Sequence, residues 1–389
     1  FKVVDFSSSY YPLAALLLLQ AVIDVKFLVS HKGERAYKGV HITGKTIGMA
    51  GLYFLVTLPI ILFPGDRILP PTGPYSVAVA AYTYVDPNRN ETFKDTGEKR
   101  ALSVEFWYPK KADGTYPLII FSHGGITSRT GNEALYNGLA SHGYVVCALD
   151  HPYHSLVCSV DGRRIFIDRN YMKELHMEDA KSHKEQSYEY YQKWMNIHKG
   201  DIHFVSDHLI SETKSSSPSP IYQRIGPSKI GVMGHSLGGS AALGMGRIRD
   251  DIGAVIALES PFMCHIQGVK NGQFIFLEEA YPVPVLNIYT DSSWTHLEEW
   301  PQYAANYSLL FNTEEKVHNV YISGAGHFSI TDLALTSPIL TDLLNGFQSR
   351  IDAQHCLRGI NRLCLAFFDC YLKDQGEFQW NGIYKAETD

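Results

Sequence analysis

The sequence predicts an α/β fold with a mostly parallel central sheet, preceded by a hydrophobic helical hairpin. Three observations carry this prediction. From about residue 75, short β-rich runs alternate with helical stretches, which is the pattern of βαβ units. Several of these runs are almost continuously apolar, as expected for strands buried on both faces of a parallel sheet. The first 65 residues contain two long stretches without a charged residue.

The composition is that of a folded protein. The 389 residues are 45% hydrophobic and 12% aromatic, and only 19% are charged. A disordered chain would combine high charge with few aromatic residues, so that class is excluded. The net charge of −6 provides no general basic surface. We therefore expect no nucleic-acid partner.

The uncharged stretches are residues 6–23 and 46–65. A helix needs about 20 apolar residues to cross the hydrocarbon core of a bilayer, and the first stretch only just meets this length. We interpret residues 1–65 as a membrane-associated helical hairpin and residues 66–389 as a separate folded domain. Two alternatives are helices that lie on a membrane or against a partner, and a signal peptide followed by a buried core helix.

The segment between the two stretches is basic. It carries Lys26, Lys32, Arg35, Lys38 and Lys45 against Asp24 and Glu34. Positively charged loops stay on the cytoplasmic side of a membrane, so we expect the domain after residue 66 on the lumenal or extracellular side. The Asn-x-Ser/Thr sequons at Asn90 and Asn306 would then be accessible to glycosylation.

The elements of the domain follow from its apolar patterning. Strands are predicted at Val77–Val85, Leu102–Tyr108, Leu118–Phe121, Tyr144–Leu149, Lys229–Met233, Ala254–Leu258, Val285–Tyr289 and Val317–Ile322. Helices are predicted at Glu133–Ser141, Glu178–His198, Asp201–Ser211, Ser236–Arg247, Asp332–Phe347 and His355–Leu372. The first two strands have no helix between them, which favours an antiparallel start to the sheet. We interpret residues 151–220 as an insertion over the carboxyl edge of the sheet, where open α/β folds bind ligands.

The most informative motif is Gly234-His-Ser-Leu-Gly238, a Gly-x-Ser-x-Gly sequence. It follows an apolar β-run and precedes a helix that begins with small residues. This is the context of the nucleophile elbow of α/β-hydrolases, a sharp strand-to-helix turn that exposes a serine hydroxyl above the sheet. The motif therefore predicts Ser236 as a nucleophile.

A serine nucleophile needs a base, and in this fold the chain order is serine, acid, histidine. His327 lies in a glycine-containing loop directly after the last predicted strand, so we expect it to be the base. Glu259 and Asp291 each follow a predicted strand at the carboxyl edge of the sheet. Either carboxylate could orient the His327 ring, and the pattern alone leaves both open.

The oxyanion hole of such an enzyme needs two backbone N–H groups. One is expected from Leu237, the residue after the serine, and the other from Gly125 in the loop after an earlier strand. His123 in that loop is expected to brace it. The pair His151 and His154 has no third ligand at a convincing spacing, and no phosphate-binding or dinucleotide motif is present. We therefore expect neither a metal nor a cofactor.

Several further motifs occur in the order found in one family. They are Pro71-Thr-Gly-Pro-Tyr75, Glu105-Phe-Trp-Tyr-Pro109, Pro117-Leu-Ile-Ile-Phe-Ser-His-Gly124, Leu139-Ala-Ser-His-Gly-Tyr-Val-Val146, Asp150-His151 and Gly234-His-Ser-Leu-Gly-Gly239. With them, residues 67–373 resemble the platelet-activating-factor acetylhydrolase group of α/β-hydrolases, secreted and type II. The resemblance implies a calcium-independent serine esterase that removes short or oxidised acyl chains from the sn-2 position of phospholipids.

The resemblance also bears on the identity of the acid. It implies an acid after the strand that follows the nucleophile helix, in an Ala-Leu-Asp context. Here Ala257-Leu-Glu259 occupies that position, with Glu in place of Asp. The resemblance therefore favours Glu259 over Asp291.

Together these observations predict a membrane-anchored serine esterase that acts on a phospholipid or a related lipid ester. The alternative is a catalytically silent hydrolase-fold subunit of a membrane protein complex, which the hairpin and the Glu-for-Asp replacement would suit. A third interpretation is an acyltransferase or a hydrolase of small esters with the same catalytic groups.

Overall fold

The structure is a computed structural model of the chain. It describes residues 8–30, 39–64, 69–110, 114–216, 218–226, 229–311, 316–380 and 382–384. Some sequence-based expectations lie outside these ranges. They concern the domain boundary between residues 65 and 66, the start of the first uncharged stretch, and the charged residues Lys32, Glu34, Arg35 and Lys38.

Two apolar helices precede the domain, α1 (Tyr11–Val29) and α2 (Gly39–Leu62). Residues Ser8–Val29 and Ile42–Leu62 are long and apolar enough to cross a membrane, and neither segment is buried against the rest of the chain. The first helix continues six residues past the end of the predicted stretch, through Asp24 and Lys26. The predicted helical hairpin therefore corresponds to two exposed apolar helices.

The domain is built on a large sheet. In chain order the strands are β1 (Val77–Asn90), β2 (Lys99–Pro109), β3 (Leu118–Ser122), β4 (Val145–Leu149), β5 (Val157–Val160), β6 (Arg163–Phe166), β7 (Ile230–His235), β8 (Ile252–Leu258), β9 (Ile266–Lys270), β10 (Gln273–Phe276), β11 (Val285–Thr290), β12 (Val317–Ile322) and β13 (Gly382–Tyr384). Within the described residues, nine of them form one sheet in the order β1-β2-β4-β3-β7-β8-β11-β12-β13. β5 pairs with β6, and β9 with β10, as separate hairpins.

The sheet is antiparallel at one edge and parallel elsewhere. β2 pairs antiparallel with both β1 and β4, and every later pair is parallel. The eight strands predicted from the apolar runs all occur in this sheet, and the antiparallel start is confirmed. The parallel order brings the carboxyl ends of β3, β7, β8, β11 and β12 to one edge, where the predicted site residues lie.

Helices cover both faces of the sheet. After α2 they are α3 (Glu133–Ser141), α4 (Arg169–Met177), α5 (Lys184–Thr213), α6 (Leu237–Ile248), α7 (Asp291–Trp294), α8 (Ala304–Leu309), α9 (Leu333–Thr336), α10 (Pro338–Asn345) and α11 (Ala353–Lys373). One hydrophobic core packs α5 and α6 against one face, and a second packs α3 and α11 against the other. In β2, Phe106 belongs to the first core and its neighbour Trp107 to the second, as the alternation of side chains along a strand requires.

Two predictions about helices were wrong. Glu178–His198 and Asp201–Ser211 were predicted as separate helices, but α5 continues through Gly200. A Cβ at that position would lie 2.5 Å from Nη1 of Arg89, so the glycine leaves room for this guanidinium rather than ending the helix. Conversely, Asp332–Phe347 divides into α9 and α10. Pro338 disfavours helical geometry at the preceding residue, and Ser337 has φ −144° and ψ 79°.

Candidate active site

Ser236 lies in a sharp turn between β7 and α6. Its φ of 55° and ψ of −123° lie outside the helical and strand regions. The residues on either side of it are buried, whereas Ser236 itself is half-buried. Its amide donates to the carbonyl of Leu258 in β8 at 2.8 Å, which fixes the turn to the neighbouring strand. The turn thus presents the hydroxyl at the carboxyl edge of the sheet, as a nucleophile elbow does.

The two motif glycines are required by close packing. A Cβ at Gly234 would lie 2.4 Å from the carbonyl carbon of Gly238. A Cβ at Gly238 would lie 2.0 Å from the carbonyl oxygen of Ser122 at the end of β3. Since backbone atoms cannot yield, larger residues at either position would push α6 away from the sheet and displace Ser236.

His327 lies in the loop after β12, and its side chain is 27% exposed. Its Nδ1 lies 3.4 Å from Oε2 of Glu259. Two contacts hold its backbone: Ser292 Oγ accepts from the His327 amide at 2.9 Å, and the His327 carbonyl accepts from Nε2 of His235 at 3.0 Å. Burial lowers the pKa of His235, and the neighbouring His327 lowers it further, so His235 remains a neutral Nε2–H donor.

Glu259 follows β8 directly and is 1% exposed. Its Oε1 accepts from the Thr290 amide and, at 2.7 Å, from the Ser293 hydroxyl. These two donors leave Oε2 directed at His327. A buried carboxylate that is hydrogen-bonded in this way is fixed in position, so it can orient an imidazole.

Asp291 has different partners. Its Oδ1 accepts from the Tyr321 hydroxyl at 2.6 Å and from the Gly324 amide at 2.9 Å, and Arg350 lies 3.4 Å from Oδ2. These bonds connect the end of β11 to the loop that carries His327. The structure therefore places Glu259 against the imidazole and places Asp291 as a support of the histidine loop.

The expected oxyanion residues lie side by side. A Cβ at Gly125 would lie 3.1 Å from Cδ1 of Leu237, and also 3.1 Å from the Tyr171 hydroxyl. A Cβ at the neighbouring Gly124 would lie 3.1 Å from Cβ of Ser236. The loop after β3 thus passes directly over the elbow, where a side chain on either glycine would be in tight contact with its neighbours.

His123 controls the orientation of this loop. Its Nε2 accepts from the His151 amide at 3.2 Å, so the proton of the neutral ring is on Nδ1, which donates to the Gly124 carbonyl at 2.6 Å. Burial, with repulsion from His151, lowers the pKa of His123 to about 3, which keeps the ring neutral. In a trans peptide the N–H points opposite to the C=O, so holding the Gly124 carbonyl also aims the Gly125 amide.

Two adjoining pockets meet at Ser236 and His327. One of about 290 Å³ is lined by Gly125, Leu237 and mostly apolar side chains. From the predicted insertion it receives Leu175, Glu178 and Trp194. The other, of about 340 Å³, extends past Glu259 to Trp300 and Leu344. A ligand in the first pocket would therefore have Ser236, His327 and the loop of Gly125 around it.

Sequence reasoning missed the residues that hold the acid and the loop. Thr290 ends β11, and Ser292 and Ser293 follow it in an ordinary Thr-Asp-Ser-Ser segment. This segment carries no signal that it would contact Glu259 and His327. Tyr171 was not singled out either. Among the residues that the structure describes, no group of three or more His, Cys, Asp or Glu side chains could hold a metal ion.

Comparison with protein families gives one extended match. The family model described as platelet-activating factor acetylhydrolase, isoform II, matches residues 93–202 and 214–389. The platelet-activating factor acetylhydrolase of Cavia porcellus is 24% identical over 304 residues, which are 72% of this chain and 63% of that protein. The corresponding protein of Canis lupus familiaris is 22% identical over 312 residues, again 72% of this chain and 63% of that protein. The chain thus spans about three fifths of the length of the curated relatives it matches.

Among solved structures, a ferulic acid esterase from Streptomyces cinnamoneus superimposes with a TM-score of 0.59. The match covers 80% of this chain and 95% of that chain, at 19% sequence identity. The likeness concerns the fold, which is that of the α/β-hydrolases.

Proposed function

Because this chain belongs to the platelet-activating factor acetylhydrolase isoform II family, we propose that it is a serine esterase that hydrolyses a lipid ester. The observation that carries the proposal is the arrangement at one pocket of a strained Ser236, a His327 held by buried Glu259, and the amides of Gly125 and Leu237. These are the groups that acyl transfer through a serine requires.

In the proposed reaction, the Ser236 hydroxyl attacks the ester carbonyl while His327 takes its proton. The imidazolium that forms is stabilised by Glu259, whose Oε2 faces Nδ1. The carbonyl oxygen becomes an oxyanion and accepts hydrogen bonds from the amides of Gly125 and Leu237. His327 then donates its proton to the leaving alcohol, which leaves an acyl group on Ser236.

Water completes the cycle. It enters at the opening shared by the two pockets, gives a proton to His327 and attacks the acyl carbonyl. Collapse of the second oxyanion intermediate releases the carboxylic acid and returns the proton to Ser236. The same base and the same amides therefore serve both halves of the reaction.

For the substrate we propose a phospholipid or related lipid ester with a short or oxidised sn-2 acyl chain. The first pocket supports a short chain, because its volume of about 290 Å³ must hold the acyl group beside the loop and the Trp194 indole. Its lining is mostly apolar, which suits an acyl chain. The relatives from Cavia porcellus and Canis lupus familiaris are named for the hydrolysis of such a lipid.

We further propose that residues 1–65, which contain the two apolar helices, anchor the protein in a membrane. The domain of residues 66–389 would then lie on the non-cytoplasmic side. The length and exposed apolar surface of Ser8–Val29 and Ile42–Leu62 support this placement. Anchoring would keep the pocket close to a bilayer that contains its substrate.

The decisive experiment is labelling with a fluorophosphonate probe together with hydrolysis of 2-acetyl and 2-palmitoyl phosphatidylcholines. We expect the wild-type chain to be labelled and to prefer the 2-acetyl lipid, and Ser236→Ala to lose both activities. The matched control is Ser211→Ala, an exposed serine on α5, which should behave as wild type.

Labelling that persists in Ser236→Ala would show that the nucleophile is another residue. A folded wild-type chain that is neither labelled nor active, and that is extracted as part of a large stable assembly, would favour the silent subunit of a membrane complex instead.

A further inference from the structure

A third pocket lies on the opposite face of the sheet from α6, between α3, α11 and the segment that follows α2. Its volume is about 240 Å³. The walls are Gly138 and His142 of the α3 end, Arg358, Asn361 and Arg362 of α11, and Leu69, Pro70 and Thr72 of the connecting segment. None of these residues belongs to the candidate active site, so the pocket needs an explanation of its own.

The pocket is basic. Arg358 and Arg362 are four residues apart on α11, so their side chains project from the same face of the helix. Both are exposed, and among the described residues neither guanidinium pairs with a carboxylate. Like charges at this spacing repel each other. No acidic residue occurs between Asp352 and Asp369 to offset them.

His142 and the glycine one turn before it form the α3 side of the pocket. Nδ1 of His142 donates to the Gly138 carbonyl at 2.9 Å, so the imidazole is held at the pocket wall by its inner nitrogen. The close approach of α3 to α11 creates the depression, because a Cβ at Gly138 would lie 2.9 Å from Nδ2 of Asn361. The two guanidinium groups beside this depression are suited to bind a phosphate group.

The position of the pocket indicates where the phosphate comes from. Leu69, which is 4% exposed and lines the pocket, is seven residues after Leu62, the last residue of α2. Seven residues span at most about 25 Å even when fully extended. If α2 crosses a bilayer, the pocket must therefore lie within about 25 Å of the membrane surface at which α2 ends.

We infer that the pocket between α3, α11 and the segment after α2 binds the phosphate of an anionic phospholipid headgroup. The source of the phosphate rests on the proposed membrane anchor, whereas the pocket itself does not depend on the catalytic proposal. Bound lipid would neutralise the Arg358–Arg362 pair and fix the orientation of the domain relative to the membrane.

The test uses the full chain in a zwitterionic detergent, with Ser236→Ala to prevent turnover of the probes. Binding of dihexanoyl phosphatidylglycerol, dihexanoyl phosphatidylcholine and inorganic phosphate is measured by titration calorimetry. We expect the anionic lipid to bind at least about tenfold more tightly than either other probe. Arg358→Gln with Arg362→Gln should abolish that difference, and the Arg358→Lys, Arg362→Lys pair should retain part of it.

The matched control removes the same charge elsewhere, with Arg163→Gln and Arg164→Gln on the exposed hairpin β5–β6, and should bind as the parent does. Equal preference for the anionic lipid in the Arg358, Arg362 double variant would overturn the inference. So would inorganic phosphate that binds as tightly as the lipid, since the site would then serve a soluble anion. Circular dichroism checks that each variant is folded. If the Arg358→Gln, Arg362→Gln variant does not fold, the preference of the Arg358→Lys, Arg362→Lys variant for the anionic lipid tests the inference instead. Because binding is read without hydrolysis, a failure here is distinct from a failure of the esterase proposal.

Discussion

Ser236 and Glu259 share an unusual backbone conformation, with φ angles of 55° and 53°. A residue with a Cβ costs about 1–2 kcal/mol in this region, so it persists only where its surroundings enforce it. Each residue directly follows a strand, β7 or β8, and these strands are neighbours in the sheet. Backbone strain thus occurs at the two positions to which we assign the nucleophile and the acid. Strained residues are typical of active sites.

The acid of the proposed triad can be identified by replacing each candidate carboxylate, Glu259 and Asp291, with the corresponding amide. Glu259→Gln should lower kcat by about 10³–10⁴-fold with little change in KM, because the amide no longer stabilises the imidazolium and no longer holds the correct tautomer. Asp291→Asn should cost much less, since Asp291 contacts Tyr321 and Gly324 rather than the ring. The measurement is steady-state hydrolysis of a chromogenic acetyl ester. A larger loss in Asp291→Asn would assign the acid to that residue.

His123 provides a second test at this scale, as a positioning residue that acts through the Gly124 carbonyl. His123→Phe should lower kcat by about 10²-fold while leaving KM nearly unchanged, because a misdirected Gly125 amide stabilises only the transition state. His123→Asn can place its amide nitrogen near the position of Nδ1, so it should recover much of the activity. Equal losses in the two variants would indicate a packing role instead of a hydrogen-bonding one.

Local motifs singled out Ser236, Leu237, Gly125 and His327 as candidates, and the structure places all four at one pocket. The sequence could not show what holds them. Glu259 receives its hydrogen bonds from residues 31 and 34 positions away, which follow a different strand. Only the order of strands in the sheet brings these groups together, and neither spacing nor residue type reveals that order.

At the scale of elements, the two small hairpins were missed although their turns carried a signal. β5 and β6 are joined by Asp161-Gly162, and β9 and β10 by Asn271-Gly272. All four turn residues have positive φ, from 48° to 76°, as two-residue type I′ turns require. The flanking strands are short and partly exposed, so the apolar runs that identified the large sheet are absent. The Asp-Gly and Asn-Gly turn sequences would have predicted both hairpins, whereas the pattern of apolar residues did not.

If the two apolar helices anchor a domain that folds without them, removing the helices should release an intact domain. Removal of residues 1–68 should move the protein from the membrane fraction to the soluble fraction while preserving fluorophosphonate labelling. The truncation keeps Leu69, which is buried in the core that contains α3 and α11. The measurement is fractionation at high salt followed by labelling. A truncated chain that remains with the membrane would show that the domain binds lipid without the helices, and loss of labelling would show that the domain needs them to fold.

Considered as a whole, the molecule encloses an ionic network beneath the loop that follows β3. Asp201 accepts from Arg100 at 2.7 and 2.6 Å and from Nδ1 of His151 at 2.9 Å, and Nε2 of His151 contacts the Ser122 hydroxyl at 2.8 Å. His123, His151, His154 and His198 surround it, all fully or almost fully buried. The sequence showed the pair His151 and His154 but not its partners, because Arg100 and Asp201 are 101 residues apart.

This cluster makes the stability of the domain sensitive to acid. Burial lowers the pKa of all four histidines below the ordinary value, and repulsion from neighbouring histidines adds to the effect at His123, His154 and His198. The unfolded chain therefore binds more protons than the folded one below about pH 6.5, so the free energy of unfolding must fall as the pH falls. Each histidine that stays neutral when folded contributes a slope of about 1.4 kcal/mol per pH unit.

The slope can be assigned to individual residues by urea unfolding at pH 7.5, 6.5 and 5.5, followed through tryptophan fluorescence. Trp194 is a suitable reporter, because its ring lies 5.8 Å from that of Tyr171, which stacks on His154. His154→Phe keeps the stacking surface and removes one titrating group, so it should reduce the slope by up to about 1.4 kcal/mol per pH unit. The control His183→Gln alters an exposed histidine and should leave the slope unchanged. A wild-type slope in His154→Phe would show that His154 does not contribute to the acid sensitivity.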